Sequence, residues 1–161
     1  MTRSLATPAV GKFVHELTLQ QYSRGLLGAV NLARSEAILR NTTVSVCPSA
    51  QGDSGQLSCT DTYSQGWMVF VNADRDRDVD AGEDEVLRVG PALPYGYRIA
   101  NRSGTAEASG LISYRSDGSA RRNLTLQICP PDQQTQSLSV VLNIVGRARL
   151  ERDWGVCEVD A

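Results

Sequence analysis

The first forty residues constrain this chain most. From 8 to 40 the sequence carries one long helical pattern, and nearly everything after it reads as strand and turn. Val14, Leu17, Leu26, Leu27, Val30, Ala33, Ala37 and Ile38 recur at spacings of three and four. Arg24, Asn31, Arg34, Glu36 and Arg40 fall mostly between them. That is the period of an amphipathic helix with one buried stripe. Pro8 suits a first helical turn, where its missing N–H costs nothing. The polar, β-branched run Asn41-Thr42-Thr43 ends the pattern. A single helix ahead of a run of strands predicts an α+β fold, with the helix laid across antiparallel sheet.

After the helix the pattern changes period. Segment 43–47 alternates and reads as a first strand, and 66–72 is a near-continuous apolar run expected to be buried on both faces. Segment 85–89 follows an acidic connection, so a hairpin with 66–72 is expected. Further strands are expected at 97–99, 111–115, 124–129, 137–145 and 148–150, with 156–159 closing the chain. The length of 161 residues fits one domain, with the helix at 8–40 and a β-rich region at 43–159.

Four cysteines, Cys47, Cys59, Cys129 and Cys157, punctuate the β-rich region. None stands in a Cys-x-x-Cys pair, and the one histidine, His15, is on the helix, where a solvated position is expected. Neither a zinc site nor a redox dithiol fits that spacing. Three pairings are open. The sequential one, Cys47–Cys59 and Cys129–Cys157, closes the shorter loops and is favoured by loop-closure entropy. Two disulfides imply a compartment outside the cytoplasm. Yet the chain holds no run of 18 apolar residues and no visible signal peptide.

Net charge is −2, which gives no global attraction to nucleic acid or membrane. The charges are nevertheless unevenly placed. Between 74 and 85 stand Asp74, Asp76, Asp78, Asp80, Glu83, Asp84 and Glu85 against Arg75 and Arg77. Asp74, Asp76, Asp78, Asp80 and the final Glu85 have the ligand spacing of a calcium-binding EF-hand loop. The glycine such a loop needs at its sixth position is Val79, and the flanks read as strands. A solvated, charged hairpin turn is the competing reading. Toward the C-terminus the balance reverses. Gly146-Arg147-Ala148-Arg149 has Arg152 close behind and Arg121-Arg122 before it. Arginines two apart on a strand share a face and can grip successive phosphates of DNA; a solvated face balanced by Glu151 and Asp153 is the alternative. No glycine-rich phosphate loop and no nucleophile–base pair is recognisable, so the sequence points away from catalysis and calls for no cofactor.

Taken together, four segments resemble the GspH/FimT family: Asn31-Leu-Ala-Arg-Ser-Glu-Ala37, Val44-Ser-Val-Cys47, Gly66-Trp-Met-Val-Phe-Val71 with its acidic connection, and Gly146-Arg-Ala-Arg149. The family comprises minor pilins of type IV pili and minor pseudopilins of type II secretion systems. The resemblance spans 8 to 157. It implies a pilin-like fold and a non-enzymatic subunit at or near the pilus tip. The partners it implies are other minor pilins and the major pilin, and the role is priming of assembly. Family members begin with a short basic leader and about twenty apolar residues, and neither is present here. The resemblance therefore implies a head without its inner-membrane anchor, periplasmic before assembly and extracellular in the pilus. Arg147 and Arg149 match the family's Gly-Arg-x-Arg motif, which implies double-stranded DNA binding in natural transformation, with Arg121, Arg122 and Arg152 as further contacts. A type II secretion pseudopilin is the alternative.

Overall fold

The computed structural model describes residues 7–50, 58–60, 62–76, 84–132 and 135–157. Its first element is α1 (Thr7–Arg40), 34 residues long. The helix ends where Asn41 turns into the left-handed region at φ 54°. There Asn41 N–H bonds to Ile38 O and Thr42 N–H to Ala37 O. Asparagine tolerates that conformation, and the two bonds satisfy carbonyls that the helix leaves open.

Among the described residues eight strands follow: β1 (Val44–Pro48), β2 (Trp67–Val71), β3 (Val86–Gly90), β4 (Arg98–Ala100), β5 (Ile112–Tyr114), β6 (Leu124–Cys129), β7 (Leu138–Leu142) and β8 (Ala148–Arg152). A short 3-10 turn, Tyr63–Gln65, precedes β2. The strands divide into two four-stranded sheets, ordered β3-β2-β1-β5 and β4-β6-β7-β8. All neighbours are antiparallel. Both sheets pack on α1. The fold is thus α+β, a long N-terminal helix against antiparallel sheets.

The helix buries Leu26, Val30, Ala33 and Ala37 of the predicted stripe, but Val14, Leu17 and Ile38 depart from that face. Leu19, Ser23, Leu26, Val30, Ala33 and Ala37 face the sheets and are fully buried or nearly so. Their spacing alternates four and three, which keeps them on one side of a 3.6-residue helix. Ala29, Ala33 and Ala37 are small enough to let both sheets approach. Ser23 is tolerated because its hydroxyl donates back to Gln20 O at 3.2 Å. Val14, Leu17 and Ile38, expected in this stripe, are instead 50%, 50% and 48% exposed. Val10, Phe13, Val14 and Leu17 form a second apolar stripe. At about 100° per residue, it lies on the side of the helix opposite Leu19, Leu26 and Val30.

Across the helix, Val44 and Val46 of β1, Ile112 and Tyr114 of β5, Leu126 and Ile128 of β6, and Val140 and Leu142 of β7 complete one core. The β2 run is buried on both faces: Val69 joins that core, while Met68 and Phe70 pack outside it with Cys47, Cys59 and Leu111. Segment 137–145 is a strand only to Leu142, because Asn143 begins a turn. Val156 and Cys157 are not in a strand, and Glu158 and Val159 lie outside the described residues.

The outer face of each sheet is stapled by a disulfide. Cys47–Cys59 (S–S 2.16 Å) ties residues 58–60 to β1, and Cys129–Cys157 (2.08 Å) ties the segment after β8 to β6. This is the sequential pairing. Under the second staple lies Gln127, fully buried. Its amide nitrogen donates to Asn101 O (3.0 Å) and Val156 O (2.9 Å), and its oxygen accepts from Ser137 Oγ (2.9 Å). One side chain thereby satisfies backbone groups of two covering segments.

In the first sheet Trp67 pairs with Gly90, and the indole lies where a Gly90 side chain would be. Gly90→Ala is expected to lower stability by about 1–3 kcal/mol through overpacking. The check is the midpoint of urea unfolding, which should fall at unchanged slope.

Candidate nucleic-acid interface

The turn between β7 and β8 carries Arg147, and several elements hold it. Within the turn, Gly146 N–H bonds to Asn143 O, and Arg147 N–H to Asn143 Oδ1, each at 3.0 Å. Gly146 has φ 97°, and a side chain there would strike Gly118 O, so glycine is required on two counts. From outside the turn, Ala120 N–H donates to Ile144 O (3.0 Å) and Tyr114 OH to Gly146 O (3.2 Å). Ile144 N–H donates to Asn123 Oδ1 (2.8 Å). Arg34 of the helix caps the neighbouring loop through Gly118 O at 3.0 Å.

Arg147 is exposed at this turn. Among the described residues its side chain has no hydrogen bond or ion pair. Arg149, two residues on, faces away from the helix and bonds to Glu151 Oε1 at 2.8 Å. It also lies over the Trp154 ring, 5.1 Å from its centre. Arg121 and Arg122 are exposed on the loop that braces the turn. They line a cleft of about 600 Å3 together with Arg75 and the Cys47–Cys59 disulfide. The structure therefore places Arg121, Arg122 and Arg147 on packed, adjoining loops. It does not bring Arg152 to them. Arg152 is three residues from Arg149, hence on the opposite strand face. It bonds there to Glu16 of the helix at 2.6 Å.

Sequence reasoning missed Trp154 and Arg102. The Arg102 guanidinium lies 3.9 Å from the Trp154 ring centre, and its Nε donates to Trp154 O at 3.2 Å. Trp154 Nε1 donates to Thr125 Oγ1 at 3.2 Å. Beside this stack is a cleft of about 390 Å3 lined by Asn123, Asn143 and Arg149. The available signal was an aromatic residue two positions after Arg152, at the end of the arginine-rich run.

The acidic segment is arranged differently from an EF-hand. Asp74 and Asp76 group with Asp84, their carboxylate oxygens all within 4.8 Å of one another. Glu85, expected to complete the loop, pairs with Arg40 at 2.5 Å, and Arg40 also holds Glu36 at 2.7 Å. Glu85 therefore ties the hairpin to the helix end. Asp78 and Asp80 lie outside the described residues. His15 is not simply solvated: its Nδ1 is 2.6 Å from Tyr97 OH and its Nε2 3.7 Å from Asp132.

Residues 23–146 match the family model described as Type II transport protein GspH. No curated protein matches the chain in sequence. Among solved structures, the type IV minor pilin FimU of Pseudomonas aeruginosa aligns with a TM-score of 0.58 at 17% identity. That alignment covers 91% of this chain and 99% of FimU. The minor pseudopilin EpsH of the Vibrio cholerae type 2 secretion system aligns with a TM-score of 0.56 at 18% identity, covering 83% of this chain and 95% of EpsH. These structural likenesses show the shared fold.

Burial raises the phenol pKa of both Tyr63 and Tyr114 well above the ordinary value near 10. The folded chain therefore retains protons that the unfolded chain releases. The resulting stability is intact below pH ~10 and is lost as pH rises beyond it. Tyr114→Phe is expected to make the alkaline loss of stability shallower, measured as unfolding midpoints between about pH 9 and 11.

Proposed function

The chain belongs to the GspH family of minor pilins and pseudopilins, and from that premise we propose that it is a non-enzymatic minor pilin working at or near the tip of a type IV pilus. In this reading it contacts other minor pilins and the major pilin and helps to prime assembly. An apolar helical segment preceding α1 anchors it in the inner membrane, with the head in the periplasm.

The observation that carries this reading is the outward apolar stripe Val10, Phe13, Val14 and Leu17. Phe13 is 62% exposed and Val10 55%. The four side chains follow the i, i+3, i+4, i+7 pattern of a helix face that packs on another helix. Because they lie opposite the stripe that holds the sheets, they are not needed for the head's own core. Neighbouring pilin helices are the occupants that the family suggests.

A second reading, a minor pseudopilin of a type II secretion system, is supported equally by the matched family model and by the likeness to EpsH. The same stripe would then serve a pseudopilus. Whether the subunit co-purifies with pili or with the secretion machinery separates the two.

DNA binding is a further part of the proposal. Arg147 supplies a cation with no ion-pair partner among the described residues, on a braced turn with Arg121 and Arg122 on the adjoining loop. Arg149 contributes less, since Glu151 already neutralises part of its charge. Arg152, engaged by Glu16, is left out of the contact set. Such a patch binds double-stranded DNA without sequence preference, through a few phosphates, and weakly.

Replacing Phe13 and Leu17 together by Asp is expected to remove the subunit from sheared filaments. The unfolding free energy of the head should change by no more than about 0.5 kcal/mol. Wild-type recovery in the filament fraction would refute the packing role of the stripe. Titration with duplex DNA at low salt should give an affinity that falls with salt. Arg147→Gln with Arg149→Gln should weaken it and flatten the log–log salt slope by about 1–2. Undiminished binding by that double variant would reject the motif.

A further inference from the structure

We propose that the cleft beside the Arg102–Trp154 stack is a subsite for an unpaired nucleobase, so that the head prefers single-stranded stretches of DNA over intact duplex. This rests on the DNA-binding reading above and specifies which part of a nucleic acid the site takes.

The stack is built before any ligand arrives. Trp154 is held at its edge by Thr125 Oγ1 and at its main chain by Arg102 Nε. Arg102 itself is exposed, so one side of its guanidinium rests on the indole and the other faces solvent. A guanidinium plane held this way is a platform for a base, which stacks on arginine as readily as on an aromatic ring. The arrangement disfavours a sugar, the other common occupant of a tryptophan-containing cleft. Sugar C–H groups need a bare aromatic face, and here Arg102 and Arg149 both lie over the ring.

Two carboxamides provide polar contacts in fixed orientation. Asn123 Oδ1 accepts from Ile144 N–H and Asn143 Oδ1 from Arg147 N–H. Because backbone donors occupy both oxygens, each NH2 is left as the outward group, and among the described residues neither has a partner. Both residues line the cleft, whose volume of about 390 Å3 accommodates a nucleotide. Amide donors suit the carbonyl oxygens of a base edge. The phosphates on either side would meet Arg149, which lines the cleft, and Arg147, whose N–H is bonded to Asn143. In a duplex the base faces are already stacked, so the platform is accessible only to unpaired nucleotides.

The test compares a labelled oligothymidine of about twelve nucleotides, an abasic strand of the same length, and a duplex, by fluorescence anisotropy at low salt. The parent protein should bind the thymidine strand about tenfold more tightly than the abasic strand, which offers the same phosphates without the bases. Arg102→Lys keeps the charge and loses the plane. It should abolish most of that preference while its duplex affinity stays within about twofold of the parent. Equal affinity of the parent for thymidine and abasic strands overturns the base subsite. If Arg147→Gln then still weakens binding to both, the phosphate-binding reading stands without it. Failure of the parent to bind any of the three overturns both.

Discussion

Everything in this molecule depends on how closely two sheets can approach one helix. The seam is set by Ala29, Ala33 and Ala37, with Leu19, Leu26 and Val30 filling the wider part below. All six are buried almost completely. Both sheets contribute side chains to the same core around this stripe. Larger residues at the alanine positions would force the sheets apart, because a close-packed interior has no room to absorb added methylenes. The consequence is that one helix serves as the shared support for eight strands. The long helix is therefore the scaffold and not merely a cover.

A sheet packed on a helix by one face still has another face to protect. The chain covers part of those outer faces with connecting segments and staples them in place by disulfides. Cys47–Cys59 sits over Met68 and Phe70, while Cys129–Cys157 holds the segment after β8 across β6. Loops make poor covers because their backbone groups need partners when buried. Gln127 meets that need on the second sheet by bonding to main-chain oxygens of two segments at once. The same covering segments deliver Arg102 and Trp154 to the surface beside the β7–β8 turn. The candidate interface is thus a by-product of how the second sheet is closed.

Charge placement follows the same logic. The carboxylates and arginines that sequence spacing grouped together are sorted by the fold into structural and free ones. Arg40 holds Glu36 within the helix and Glu85 at the hairpin end, and Glu16 takes Arg152, so the last two pairs tie the helix to the hairpin and to β8. Exposed pairs of this kind contribute little stability one by one, but they determine which charges remain available to a partner. Arg147 remains available on a turn that Asn143 and Tyr114 hold rigid.

The sequence by itself determined the long helix, the period change at residue 43, most strand positions and the α+β class. These are local properties, written in spacings of three and four or of two, and in the turn chemistry of Asn41, Gly118 and Gly146. It also carried the Gly-Arg-x-Arg motif, because that motif is a contiguous run. Only the tertiary structure decided which face of the helix is buried. Val14 and Leu17 are as apolar as Leu19 and Leu26, and only the position of the sheets tells the two stripes apart. The same holds for the site. Arg152 leaves the basic group because Glu16, 136 residues away, captures it. Arg102 joins because a segment of the chain 52 residues from it carries Trp154 O. Such partners are distant in sequence and adjacent in space, and no local period encodes them.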